Sequence, residues 1–233
     1  MKPLDQKSAL TERVRDAIID SILDGTFQTG DRLAQEQLAD RLNVSRQPVS
    51  HALSLLKEQG VLVTLGRKGL TVAPMDPALV GQLYQVRGPL DALAARLCAA
   101  RVAANEIGAR DLRALDALVK RNAPYDSRRG VDLPARQLTT HINADMVFHV
   151  SLYRLSGNPL IEDISRAHWV HFRRSMRAVL TNPAEHPQVW KDHREILNAV
   201  HDGDPDQAHH LSVQHCQHAA VKATASLTTK GAG

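Results

Sequence analysis

The chain has 233 residues, of which 43% are apolar and 23% charged, and its formal net charge is +4. This is enough apolar material for one large or two modest buried cores, which excludes a fibrous or fully disordered protein. Aromatic residues make up only 3% of the chain, too few for a surface on which successive bases stack. Histidine is unusually clustered, because 11 of the 12 histidines lie between His141 and His218.

The cysteine content and the beginning of the chain indicate where the protein works. Cys98 and Cys216 are too few and too far apart for a disulfide framework or a Cys-x-x-Cys metal site, which favours a reducing compartment. The N-terminal sequence has no continuous apolar segment of the kind found in signal peptides, and no later window approaches the ~18 apolar residues that span a bilayer. We therefore expect a soluble cytoplasmic protein without membrane contacts.

The first 75 residues combine three short helices with a hairpin. Apolar periodicity predicts helices over residues 10–23, 35–42 and 45–60. The third helix starts at Ser45, because Pro48 is tolerated only in the first turn of a helix. Two β-branched runs joined by a Gly-Arg-Lys-Gly turn follow it. This order is typical of a winged helix-turn-helix, which we place at residues 8–75.

After residue 75 the strand-like runs disappear and long amphipathic periods continue to the end of the chain. They predict helices at about 78–103, 105–122, 134–156, 158–181, 186–202 and 204–227. We therefore expect a mainly α protein whose second domain, residues 76–228, is an all-α bundle of about six helices.

Polar side chains at the start of the third helix are candidates for DNA recognition. In a helix-turn-helix, the first two turns of the second helix of the pair reach the base edges in the major groove. Here these turns carry Ser45, Arg46, Gln47, Ser50 and His51. Arginine pairs with guanine and glutamine with adenine, whereas a serine at a helix N-terminus suits a phosphate.

The tip of the predicted hairpin adds positive charge to the same domain. Arg67 and Lys68 are flanked by glycines, which suits a wing lying on phosphates or in a minor groove. Between residues 41 and 75 the chain has five Lys or Arg residues and one acid. The small net charge of the whole chain therefore conceals a basic segment.

The histidine-rich segment contains a candidate metal site. Asp145 and His149 are four residues apart, so on a helix both side chains project from one face, and His141 lies one turn earlier. His193 and His215 lie on two later predicted helices. Three imidazoles and one carboxylate suit Zn²⁺, with Ni²⁺, Mn²⁺ or Fe²⁺ as alternatives, although single histidines on helices are more often surface or core residues.

The N-terminal residues resemble a known family of regulators. The run from GTFQTGDRLAQEQLADRLNVSRQPVS through the GRKG wing to Pro74 is similar to the winged helix of the GntR family, and the resemblance covers residues 10–75. It implies that Arg46 and Gln47 contact DNA and that Arg67 and Lys68 belong to the wing. The family usually carries Arg-Glu where Ser50 and His51 stand. The DNA contact that this arginine makes in the family is therefore not predicted for this chain.

The C-terminal residues resemble the all-helical FCD effector domain of the FadR-type branch of that family. The matching residues are the Asp-x-x-Phe-His run at Asp145, the His-Arg-x-Ile-Leu run at His193 and the final-helix His215. The resemblance implies that Asp145, His149, His193 and His215 bind a metal, with water or an effector carboxylate completing its coordination. It also implies that Arg87 faces the cavity and clamps a carboxylate, unless Arg87 forms a surface ion pair instead. Asp91 replaces the more usual Glu.

These features together predict a transcriptional regulator and not an enzyme. We expect a homodimer that binds a palindromic operator, senses a small carboxylate and, by the family default, acts as a repressor. The main alternative is a metal-dependent enzyme acting on a small organic acid, because the same ligands occur in hydrolases and oxygenases. A purely structural DNA binder, with neither cavity nor metal, is a third interpretation.

Overall fold

The chain divides into two units. A computed structural model of the protein describes residues 5–122, 135–182 and 185–231. Residues of Met1–Pro74 contact mainly one another, as do residues of Met75–Gly233, so each unit has its own core. The side chain of Lys68 and the linker predicted around residues 124–134 lie outside the described part of the chain.

The first unit is a winged helix-turn-helix. Its elements are α1 (Asp5–Leu23), α2 (Gln35–Leu42), α3 (Arg46–Glu58), β1 (Leu62–Thr64) and β2 (Leu70–Val72). The strands pair antiparallel with Leu62 opposite Val72. Arg32 forms an isolated bridge with Thr71, which attaches the segment before α2 to the hairpin. Ile18 of α1 and Leu56 of α3 are almost fully buried in the core of this unit.

The turn between α2 and α3 fixes the direction of α3. Asn43 ends α2 in the left-handed conformation with φ of 51°, which asparagine tolerates better than most residues. Ser45 has an extended backbone at the N-cap position, and Pro48 follows in the first turn of α3. Pro48 is buried, so it packs against the unit without interrupting the helix. The predicted winged helix-turn-helix is confirmed.

The second unit is entirely helical in its described ranges. Its elements are α4 (Pro77–Ala103), α5 (Ala109–Asn122), α6 (Ala135–Leu155), α7 (Pro159–Arg166), α8 (Trp169–Leu180), α9 (His186–His201) and α10 (Pro205–Gly231). The central contact is between α4 and α10. A Cβ at Gly88 would lie 3.2 Å from Cys216 Sγ, so the glycine allows these helices to approach closely. No helix in the described ranges is long and apolar enough to cross a membrane.

The single helix predicted at residues 158–181 is two helices, α7 and α8. They are separated at Ala167 and His168, where the N–H of His168 donates to the carbonyl oxygen of Ser165 at 3.0 Å. Neither residue is a glycine or proline, so the sequence has no local signal for this turn. The described part of the second unit therefore has seven helices instead of about six. In addition, α10 extends to Gly231, beyond the predicted end at residue 227.

The two cysteines are packing residues in the second unit. Both are free and buried, and burial raises the pKa of each thiol to about 12. The thiol of Cys98 donates to the carbonyl oxygen of Leu152 at 3.2 Å. Thiols with raised pKa values are poor nucleophiles, which leaves them a structural role.

Candidate functional site

The candidate DNA-binding side chains lie at the start of α3. Four of them, Ser45, Arg46, Gln47 and His51, are exposed, and Ser50 is half-buried. The Ser45 side chain makes no cap hydrogen bond within α3. An exposed serine at a helix N-terminus is suited to a phosphate, because the helix dipole favours an anion there.

Arg46 has partners in the first unit. Its guanidinium pairs with the Glu36 carboxylate, and both side chains are 67% exposed. The Gln35 side-chain amide donates to the backbone carbonyl oxygen of Arg46 at 2.9 Å. An ion pair this exposed contributes little free energy. Arg46 can therefore leave Glu36 for an acceptor on another molecule with only a small loss of free energy.

The predicted wing is a hairpin with a tight tip. A single turn of 3-10 helix, Gly66–Lys68, joins β1 to β2, and the N–H of Leu65 donates to the carbonyl oxygen of Gly69 at 2.9 Å. Gly66 and Gly69 have φ of 47° and 77°, which favour glycine over other residues. Arg67 is exposed at this tip.

The structure brings the four predicted metal ligands together inside the second unit. Asp145 and His149 come from α6, His193 from α9 and His215 from α10, and all four are buried. One potential ligand atom from each residue lies within 4.8 Å of the others. The Nε2 atom of His193 is 3.3 Å from both Asp145 Oδ1 and His215 Nε2, and His149 Nε2 is 3.8 Å from Asp145 Oδ1.

The arrangement of these atoms fits a cation. Asp145 Oδ2 and His149 Nε2 are buried and have no hydrogen-bond partner among the residues that the structure describes. Leaving such groups without a partner costs free energy, which a central cation would recover. Three imidazole nitrogens and one carboxylate oxygen form a typical zinc-binding set. The cluster could therefore hold a metal ion.

Two further carboxylates orient the imidazoles. Asp91 Oδ2 lies 3.3 Å from His149 Nδ1, and Asp192 Oδ2 lies 3.2 Å from His215 Nδ1. A carboxylate at Nδ1 favours the tautomer that carries its proton there, which leaves Nε2 free to bind a metal. Asp192 was not among the sequence candidates, and it contacts a histidine 23 positions away on another helix.

Arg87 is part of a buried network and not a surface ion pair. Its Nε donates to Asp91 Oδ2 at 3.1 Å, and the two side chains are 4% and 2% exposed. The Tyr153 hydroxyl donates to the other Asp91 oxygen. The guanidinium carbon lies 4.7 Å and 5.0 Å from the centres of the Phe172 and Trp169 rings, close enough for cation-π attraction.

This network controls the protonation of the cluster. Burial alone would raise the pKa of the Asp91 carboxyl, but Arg87 and His149 hold that pKa well below its usual range. Burial lowers the pKa of His193 well below its ordinary value, and His215 and His149 lower it further. Burial and Arg87 also lower the pKa of His149. Both imidazoles are therefore neutral at neutral pH, which is the state that binds metals.

A cavity adjoins the cluster. It contains about 520 Å³ of space not filled by protein atoms, including space open to solvent. Arg87, Asp145 and His215 line it and are buried, whereas the lining residues Gln188 and His218 are exposed. The cavity thus leads from the surface to Arg87 and two of the predicted ligands.

Several other histidines lie outside the cluster. The four-residue group does not include His141. His210 and His218 are exposed and His209 is half-buried. Spacing along one helix face predicts His141 only as a neighbour of the predicted ligands Asp145, His149, His193 and His215, and these four form the group in the structure.

Comparison with known proteins agrees with this architecture. A model of the gntR family of bacterial regulatory proteins matches residues 10–72, and a model of the FCD domain matches residues 82–218. The HTH-type transcriptional regulator YdhC of Bacillus subtilis is 26% identical over 201 residues, covering 84% of this chain and 83% of that protein. An HTH-type transcriptional regulator encoded in an unstable DNA locus of Streptomyces ambofaciens is 32% identical over 180 residues, covering 75% and 68%.

A solved structure shares the fold. The E. coli protein McbR/YncC superposes with a TM-score of 0.71 at 21% identity, covering 90% of this chain and 94% of that one. The family matches and the relatives' names indicate a DNA-binding transcriptional regulator and decide against the alternative of an enzyme. The chain belongs to the GntR family of bacterial regulatory proteins and carries an FCD domain.

Proposed function

We propose that this regulator senses a small carboxylate through a metal ion and adjusts its binding to DNA accordingly. The observation that carries the proposal is the buried group of Asp145, His149, His193 and His215, whose ligand atoms lie within 4.8 Å of one another beside a cavity that also exposes Arg87. Zinc is the first candidate metal, with nickel, manganese and iron as alternatives.

The N-terminal unit supplies DNA binding in this proposal. The start of α3 enters the major groove, where Arg46 and Gln47 contact base edges and Ser45 contacts a phosphate, with Ser50 and His51 one turn further along. Arg67 and Lys68 of the wing add phosphate or minor-groove contacts. A homodimer would bind a palindromic operator, because a two-fold protein matches a two-fold site.

The C-terminal unit supplies recognition of the effector. A bound divalent metal would act as an electrophilic anchor for a carboxylate. Arg87 would donate hydrogen bonds to the same carboxylate. Asp91 holds Arg87 in place for this contact, and the Tyr153 hydroxyl in turn donates to Asp91. Burial of the site keeps bulk water away, which strengthens each of these interactions.

Carboxylate binding changes DNA binding only if the effector prefers one arrangement of the second unit. The helices that carry the ligands, α6, α9 and α10, also form its core, so a change at the site shifts their packing. We propose that the protein represses transcription and that binding of the carboxylate relieves this repression.

The test is a DNA-binding titration with the metal-loaded protein and its own upstream DNA. We expect specific binding that weakens with rising salt and a several-fold loss of affinity when the carboxylate is added. The variant Arg87→Lys keeps a positive charge beside Asp91 but lacks the planar guanidinium, so it should bind DNA with a smaller response to the carboxylate. Absence of specific binding across a range of salt, or an equal response in the variant, would contradict the proposal.

A further inference from the structure

We infer that the effector is an amphiphilic monocarboxylate, with one carboxylate and a short apolar body, and not a dicarboxylate. The inference rests on the proposed function, because it assumes that a carboxylate is anchored at the buried end of the cavity. It concerns the rest of the cavity, whose walls and mouth determine what can be attached to that carboxylate.

The walls of the cavity are apolar. The apolar and aromatic residues among those that line it are Tyr84, Met176, Val179, Leu180, Val189 and Ala219. Tyr84 is buried, and its ring packs edge-on against Phe172 with the ring centres 5.4 Å apart. Aliphatic and aromatic groups gain free energy from burial against such walls, whereas a hydroxyl or a charge there loses its hydration without a partner.

The mouth of the cavity is unfavourable for a second carboxylate. Two half-buried acids, Glu185 and Asp192, are among the residues that line the cavity. The lysine that lines it, Lys222, is already ion-paired with Glu185. Asp192 is engaged with His215 and accepts a hydrogen bond from the Gln188 amide at 2.5 Å. The polar lining residues Lys222, Gln188 and His218 already interact with Glu185 or Asp192. A second carboxylate there would therefore meet two like charges and donors that already have partners.

Three five-carbon probes distinguish the contribution of the carboxylate to affinity from that of the rest of the ligand. Pentanoate has one carboxylate and an apolar end, glutarate has a carboxylate at each end, and pentanamide has an uncharged amide in place of the carboxylate. Calorimetric titration of each into the zinc-loaded full-length protein measures its affinity. We expect pentanoate to bind at least about tenfold more tightly than either of the others, and tenfold corresponds to ~1.4 kcal/mol. Glutarate would place a second charge beside like charges, and pentanamide lacks the charge that the metal and Arg87 would attract.

A substitution at the mouth tests why the dicarboxylate is rejected. In Glu185→Gln the negative charge disappears and Lys222 loses its partner, so the preference for pentanoate over glutarate should narrow by about threefold or more. The matched control is Glu162→Gln on α7. Its carboxylate is 21% exposed, like that of Glu185, and pairs with Arg154 at 2.7 Å, and it does not line this cavity. The control should leave the preference unchanged.

The outcomes distinguish this inference from the proposed function. Glutarate binding as tightly as pentanoate would overturn the inference and leave carboxylate sensing intact. Pentanamide binding as tightly as pentanoate, or no binding by either acid, would overturn both. A preference that narrows equally in Glu185→Gln and Glu162→Gln would overturn the assignment of selectivity to the cavity mouth.

Discussion

Each unit contains an arginine paired with a carboxylate, and the two pairs differ in their contact with water. Arg46 and Glu36 of the first unit are each 67% exposed, whereas Arg87 and Asp91 of the second are 4% and 2% exposed. Exposed pairs typically contribute about 0–1 kcal/mol, and loss of one partner from a buried pair typically costs about 3–5 kcal/mol. Arg46 can thus exchange its partner for an outside one, whereas Arg87 stays paired with Asp91 through Nε and could reach an effector only through its other guanidinium nitrogens.

The largest expected effect is on metal affinity in the buried unit. Replacing His193 with alanine removes one of the four proposed ligands, so zinc affinity should fall by more than the about 10–100-fold that loss of an outer-shell partner typically costs. Competition against a chelator and elemental analysis of protein purified without a histidine tag would measure this. The matched control is His210→Ala, an exposed histidine on α10. Equal zinc affinity in both variants would contradict the assignment.

The second effect is on stability and compares the two ion pairs directly. Asp91→Asn should lower the free energy of unfolding by about 3–5 kcal/mol, because Arg87 stays buried without its counter-charge. Glu36→Gln should change it by less than about 1 kcal/mol. Urea unfolding of both variants in the metal-free state checks this without a contribution from zinc. Similar losses of unfolding free energy in the two variants would contradict the proposed difference between the exposed and the buried ion pair.

The third effect is on DNA binding and should leave stability unchanged. Arg46→Ala should weaken binding to the upstream DNA by about 1–3 kcal/mol if Arg46 contacts a base. Its free energy of unfolding should stay within about 0.5 kcal/mol of the original value. Lys57→Ala, at the other end of α3, is the control for loss of positive charge. If the control weakened specific binding as much as Arg46→Ala does, the proposal that Arg46 contacts a base would be wrong.

The smallest effect is the pH dependence of the metal-free protein. The pKa values of His149 and His193 are lowered in the folded state, mainly by burial, so the unfolded chain binds more protons than the folded chain below about pH 6.5. Stability should therefore fall as the pH drops from 7 towards 5. Asp91, whose pKa is also lowered, stays ionised over this range. Thermal unfolding would measure the trend, and constant stability from pH 7 to 5 would contradict it.

The two units also differ in how much of each could be predicted from the sequence. The winged helix-turn-helix depends on local signals: Asn43 at a helix end, Pro48 in a first turn and glycines at the wing tip. The turn at Ala167 and His168 has no such signal, because it depends on how α7 and α8 pack against the core. The apolar periodicity of a helix continues across this turn, so the sequence predicts one uninterrupted helix there.

Within the site, proximity along one helix indicated Asp145 and His149, whereas His193 and His215 were identified with the help of family resemblance. The orienting contact of Asp192 with His215 and the ion pair of Arg46 with Glu36 were not predicted. Both join residues on different helices, at separations that no periodicity describes. Such partners depend on tertiary packing, which a single sequence does not specify locally.

The most direct test of the account is whether carboxylate recognition requires the histidine ligands. The thermal shift produced by pentanoate would be measured for the zinc-treated protein and for the double variant His149→Ala, His193→Ala. We predict a concentration-dependent rise in melting temperature for the original protein and none for the variant. An equal rise in both proteins would show that the carboxylate binds without the metal ligands and would contradict metal-centred sensing.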